Sequence, residues 1–166
     1  MKALYPMRGV ITTVNTPFNE DLTINWSDLR RTAEAALEAG VSGFLAPCFA
    51  SEIDELTNEE RYRMVTELLT VTHQAGHGIV MPNVRGKTKD DCVEQAKRYL
   101  DLGVDGVNIF MPTVTEESYR ELVAAVDELH PPFLCLQDTK DNELRAPFVK
   151  SMFDEFESFR CIKIET

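Results

Sequence analysis

Most of the short signatures that betray a protein's chemistry are missing from this sequence. Its four cysteines, Cys48, Cys92, Cys135 and Cys161, stand far apart with no C-x-x-C spacing, so neither a zinc site nor a redox motif is signalled. Three of them fall in apolar runs, where they read as small buried hydrophobes of a reducing compartment. Only three histidines occur. His73 and His77 have ligand spacing, but a glycine lies between them and no acidic third ligand is near, so no metal is expected. His130, before two prolines, reads as a helix C-terminal residue favoured by the helix dipole. No G-x-G-x-x-G or G-x-x-x-x-G-K-[ST] segment follows any strand-like run, which removes the usual evidence for a nucleotide-binding sheet. No run approaches the ~20 apolar residues of a membrane span, and the opening "MKALYPMRGV" lacks the apolar stretch of a secretory signal. Positive charge is scarce as well: 17 Lys and Arg against 28 Asp and Glu leave a formal net charge of -11. Nucleic-acid binding depends on clustered cations that release counterions. Neither a nucleic acid nor a membrane is therefore an expected partner, and the chain reads as cytoplasmic. Its acidity favours solubility and identifies no substrate.

What the chain does have is alternation. Apolar runs of strand length, "GVITTV" (9 to 14), "GFLAPC" (43 to 48), "GIVMPNV" (78 to 84), "GVNIFMP" (106 to 112), "FLCLQD" (133 to 138) and "CIKIE" (161 to 165), are separated by amphipathic stretches of helix length. That is the pattern of parallel βαβ units. In "WSDLRRTAEAALEAG", Trp26, Leu29, Ala33, Ala36 and Leu37 recur at helical spacing, with Asn25 or Ser27 available as a cap and Gly40 as a stop. Thr57 and Glu60 have capping-box spacing ahead of a second helix with Met64, Val65, Leu68, Leu69 and Val71 on its apolar face. Three further helical stretches follow, the last opened by Pro147 at its first turn. The exits "EAGVSGF", "QAGHGI" and "DLGVDGV" form an internal repeat, each with a glycine at the helix end and another just before the strand. Strands this apolar fit either a (β/α)8 barrel or an open doubly wound sheet. A barrel needs eight strands and about 250 residues. These 166 residues supply six strands and five helices.

The last run places a lysine among apolar residues. Alternation along a strand puts Cys161, Lys163 and Glu165 on one face and Ile162 and Ile164 on the other. In a barrel the isoleucines meet the helices and Lys163 points inward, where desolvation disfavours the ammonium and favours the free amine. Such an amine attacks a ketone to form a Schiff base. The bland alternative is a lysine that snorkels to solvent and pairs with Glu165.

"GVITTVNTPF" near the start, "AGVSGFLAPCFASEIDELTNEER" after the first helix and "IKIET" at the end resemble, in order and spacing, the dihydrodipicolinate synthase and N-acetylneuraminate lyase family of class I aldolases and dehydratases. The resemblance covers nearly the whole chain. It implies a (β/α)8 TIM barrel whose sixth strand carries the Schiff-base lysine, here Lys163, with no metal or organic cofactor and with assembly into homo-oligomers. It also implies two more βα units and a helical tail, so residues 1–166 read as a single, incomplete barrel domain.

Departures from the family bear on the substrate. Where its lysine-biosynthesis members hold the keto-acid carboxylate with a glycine, two hydroxyl residues, glycine and glutamate, this chain has Cys48, Phe49, Ala50, Ser51 and Glu52. Backbone N–H groups at Ala50 and Ser51 need no particular side chain to bind an anion; Ser51 either adds a hydroxyl or caps a turn, and Phe49 either packs or walls the pocket. The family's proton-relaying tyrosine falls at Leu136, its carboxylate-reading arginine near Asp141, and its second tyrosine at Val114 or a neighbour. These losses, with the "LQD" and "KIET" segments, resemble the branch of 2-keto-3-deoxy sugar acid dehydratases. On that resemblance Asp138, sharing the face of Leu136, points toward the site, and Gln137 orients it. The expected activity is a Schiff-base lyase acting on a small 2-keto acid, by dehydration or by aldol cleavage or condensation with pyruvate. Dihydrodipicolinate synthase-like condensation, or a non-catalytic assembly module, are the alternatives.

Overall fold

A computed structural model describes residues 7–110, 115–139 and 143–165. The chain forms two compact units, Met7–Asn83 and the part from Val84 onward. In the first, β1 (Ile11–Thr13), β2 (Gly43–Leu45) and β3 (Ile79–Val80) make a parallel sheet in that order, with Ile11 opposite Gly43 and Gly43 opposite Ile79. Helix α1 (Trp26–Glu38) starts at Asn25, whose Oδ1 accepts the Asp28 N–H at 3.0 Å, so Asn25 and not Ser27 is the cap. It buries Leu29, Ala33 and Leu37, while Trp26 stays near the surface under the Arg63 guanidinium, 4.3 Å from the ring centroid. Helix α2 (Asn58–Ala75) opens on the expected capping box: Thr57 Oγ1 accepts the Glu60 N–H, and the Glu60 carboxylate accepts the Thr57 N–H at 2.8 Å. Its buried face carries Met64, Val65, Leu68, Leu69 and Val71, as the periodicity predicts.

The apolar run 78–84, expected to be one strand, divides into β3 and β4 (Asn83–Val84). Pro82 stands between them and has no N–H to give to a ladder. The backbone nevertheless stays beside the segment that follows β2, with the Met81 N–H on the Phe44 carbonyl at 2.9 Å and the Asn83 N–H on that of Pro47 at 3.0 Å.

The second unit carries a four-stranded sheet in the order β4, β5 (Val107–Ile109), β6 (Leu134–Thr139), β7 (Phe159–Glu165). Strands β5, β6 and β7 pair in parallel. Helices α3 (Lys89–Asp101), α4 (Glu116–Asp127) and α5 (Ala146–Glu155) connect them, and Pro147 lies in the first turn of α5 as expected. Its largest fully buried side chains include Tyr99, Tyr119, Leu122, Phe133, Leu134 and Leu136, each contributing roughly 1.5–3 kcal/mol where an apolar side chain of that size leaves water. The repeated helix exits have one physical cause. Gly40, Gly76 and Gly103 all take the left-handed conformation, with φ of +94°, +72° and +87°, which side chains disfavour. Gly106 meets a different constraint: a Cβ there would lie 2.6 Å from three carbons of the Phe133 ring. Among the described residues, no helix is long and apolar enough to cross a membrane.

Candidate active site

Register decides which residues of β6 stand beside Lys163. Gln137 is its direct partner, while Asp138 pairs with Ile164 and Leu136 with Ile162. Because side chains alternate along each strand, Gln137, Lys163 and Glu165 share a face and Asp138 lies on the opposite one. The expectation that Asp138 points toward the lysine is therefore corrected: its carboxylate turns to the loop before α5 and accepts the Leu144 N–H at 2.8 Å. Leu136, the place the family resemblance gave to the tyrosine, lies on that same opposite face and is fully buried.

On the lysine face the polar groups form a row across three strands. Asn108 of β5 donates from Nδ2 to Gln137 Oε1 at 2.8 Å, and Gln137 Nε2 donates to Glu165 Oε2 at 3.1 Å. Glu165 Oε1 accepts a hydrogen bond from Lys163 Nζ. Asn108 and Gln137 are fully buried, whereas the Lys163 side chain retains 26% and Glu165 40% of their exposure. Burying two side-chain amides costs free energy unless they are paired, and here each pairs with the next. The row ends at a partly accessible amine touching a carboxylate. A carboxylate so placed can remove a proton from the ammonium and return it to a departing hydroxyl. In the sequence, Glu165 stands out only as an ion-pair partner, through its i, i+2 spacing with Lys163, and no local signal marks Asn108.

The loop after β2 lies in the first unit. Residues Phe49–Ser51 form one 3-10 turn, closed by Glu52 in the left-handed conformation at φ 56°. Phe49, Ala50 and Glu52 are exposed, Phe49 by 41%, while Ser51 is fully buried. The Ser51 hydroxyl donates to the Val14 carbonyl at 2.6 Å and accepts the Cys48 N–H at 3.2 Å. Its own N–H donates to the Cys48 carbonyl at 2.9 Å, and its carbonyl accepts from Thr16 Oγ1 at 2.6 Å. Ser51 thus fastens the turn to the chain beyond β1, and the exposed groups of the turn are its neighbours. Val114 and Asp141, which stand at two of the family's substrate-contacting positions, lie outside the described residues.

The dihydrodipicolinate synthetase family matches residues 6–130. The 4-hydroxy-tetrahydrodipicolinate synthase of Salinibacter ruber is 29% identical over 122 residues, which are 74% of this chain and 40% of that protein. Among solved structures, a dihydrodipicolinate synthase from Acinetobacter baumannii complexed with pyruvate superposes with a TM-score of 0.86 at 21% identity, over 95% of this chain and 55% of that one. The sialic acid aldolase of Ruminococcus gnavus, as a catalytic lysine mutant, does so with a TM-score of 0.85 at 16% identity, over 100% and 56%. The fold is that of these TIM-barrel enzymes, and this chain spans about half the length of the solved relatives.

Proposed function

Because the chain belongs to the dihydrodipicolinate synthetase family, we propose that it serves a Schiff-base lyase acting on a small 2-keto acid, with Lys163 as the nucleophile. The observation that carries this is the partly accessible Lys163 amine held against Glu165, with buried Gln137 and Asn108 fixing the carboxylate from behind. Glu165 takes a proton from the ammonium, and the freed amine attacks the ketone carbon as the carbonyl electron pair moves to oxygen. A second proton passes from nitrogen to that oxygen. Glu165 then returns its proton, water leaves, and an iminium remains. The iminium acidifies the adjacent carbon. Glu165, again a carboxylate, removes a proton there, and hydroxide departs from the next carbon in a dehydration. These steps need no metal or organic cofactor.

In this proposal the Ala50 N–H binds the substrate carboxylate, Phe49 offers an apolar surface and Glu52 a polar rim, while Ser51 holds all three in place. Gln137 is a positioning residue, and Asp138 serves the loop before α5. Dehydration is preferred to the synthase reaction because Leu136, at the position the family resemblance gives to the proton-relaying tyrosine, has no hydroxyl to relay a proton. Aldol cleavage is the second reading within the class. Self-association belongs to the same proposal and is checked by sedimentation.

The test is intact-mass spectrometry after borohydride reduction, with pyruvate and separately with a 2-keto-3-deoxypentonate, on this chain and its Lys163→Ala variant. One reduced adduct per chain, lost in the variant, is expected. Adduct formation that survives the substitution would overturn the assignment, and so would its absence from the unmodified chain. Release of pyruvate from the sugar acid would replace dehydration by aldol cleavage.

A further inference from the structure

Two cysteines far apart in the sequence are neighbours in the sheet. Cys135 of β6 and Cys161 of β7 are direct Cα partners, on the face that also carries Gln137 and Lys163. Adjacent strands lie about 4.8 Å apart, inside the roughly 4.4–6.8 Å window over which two Cα atoms can be bridged by a disulfide. The Cys161 thiol reaches across the same two strands to donate to the Leu134 carbonyl at 3.9 Å, and the Cys135 thiol donates to the Leu136 carbonyl at 3.6 Å. Cys135 is buried and Cys161 partly exposed, so a small reagent reaches Cys161 first. The other two cysteines differ in both respects. Cys48 and Cys92 are buried; the former's thiol lies 3.6 Å from the Ser51 hydroxyl, and the latter's sulfur accepts the Gly86 N–H at 3.1 Å.

We propose that Cys135 and Cys161 are a redox-active dithiol that closes to a cross-strand disulfide when Cys161 meets hydrogen peroxide. The Cys161 sulfur attacks the peroxide oxygen, the O–O bond breaks, and water leaves with Cys161 as a sulfenic acid. The Cys135 sulfur then attacks the Cys161 sulfur, a second water leaves, and the S–S bond forms. Two thiols lose two electrons, and one peroxide gains them. The neighbouring Cys135 thiol draws the Cys161 thiol below its usual range despite the opposing effect of burial. The same proximity, together with burial, pushes Cys135 up. The difference suits Cys161 to the first step. The disulfide fastens β6 to β7 two residues before Lys163 and does not depend on what Lys163 does.

Folded chain is treated with equimolar hydrogen peroxide, quenched with N-ethylmaleimide, and read by intact mass and peptide mapping, beside a urea-unfolded sample. The expected result is the loss of two alkylatable thiols and of the mass of two hydrogens, one cross-linked peptide pair holding Cys135 and Cys161, and reversal by dithiothreitol. Cys48→Ser/Cys92→Ser retains the bridge. Cys135→Ser loses it and leaves Cys161 as a sulfenic acid captured by dimedone. Direct oxidation of Cys161 to its sulfinic acid in the unmodified chain without a bridge would overturn the proposal. So would bridging that is no faster or more selective in the folded chain than in urea.

Discussion

Replacing Ser51 by alanine separates a residue that holds a loop from one that holds a substrate. The substitution removes a hydroxyl that donates to Val14 O at 2.6 Å and accepts from Cys48 N at 3.2 Å, in a side chain with no solvent exposure. A buried partner left without its hydrogen bond costs about 1–3 kcal/mol, so the two together predict a loss of about 2–4 kcal/mol, the longer bond giving the smaller share. For a chain of this size each kcal/mol lowers Tm by about 2–4 °C, which places Ser51→Ala roughly 4–16 °C below the parent. Thr16→Val, which removes the single bond to Ser51 O, loses about 1–2 kcal/mol. Far-UV circular dichroism on heating and a urea titration at constant m measure both changes. Borohydride trapping at graded pyruvate concentrations then reports affinity. A Ser51→Ala chain within ~0.5 kcal/mol of the parent, yet several-fold weaker for pyruvate, would refute the fastening role and return the hydroxyl to the substrate.

Tyr119→Phe tests a pH dependence. The buried Tyr119 hydroxyl donates to Ile109 O at 2.7 Å, and desolvation holds its pKa far above the usual tyrosine value. Its contribution is therefore complete below pH ~10, where the unfolded tyrosine also stays neutral, and falls above it by about 1.4 kcal/mol per pH unit. Urea midpoints at pH 8 and pH 11 should show the parent losing more stability than the variant; parallel losses would refute the argument. Gly106→Ala drives a methyl into the Phe133 ring and should cost about 1–3 kcal/mol by overpacking. Adding Phe133→Leu should relieve part of that cost, and strict additivity in the double-mutant cycle would count against the contact.

Much of this arrangement was legible in the sequence because it is local. Capping at Thr57 and Glu60 uses neighbours in the chain, and so do the left-handed glycines at three helix exits and the proline that opens α5. The shared face of Lys163 and Glu165 follows from strand alternation alone. Relations between strands were less accessible. Alternation correctly puts Gln137 and Asp138 on opposite faces, but which of them meets Lys163 depends on the β6–β7 register. That register shifts near Leu134 and Cys135, and a slip of one residue exchanges the two faces. Ser51 stayed ambiguous for the same reason, since its decisive partner, Val14, lies 37 residues away. Pro82 could have been recognised as a break in its strand from its missing N–H, whereas the Cys135–Cys161 pairing needed the sheet.

The turn after β2 also has an evolutionary consequence. Its side-chain anchor to the chain beyond β1 is one inward residue, Ser51, while Phe49, Ala50 and Glu52 are exposed. Substitution at exposed Ala50 therefore disturbs the fold less than substitution at buried Ser51 or Thr16. On the proposed role of this turn in binding the substrate carboxylate, such modularity would let descendants of one ancestor diversify their chemistry by exchanging a few adjacent codons.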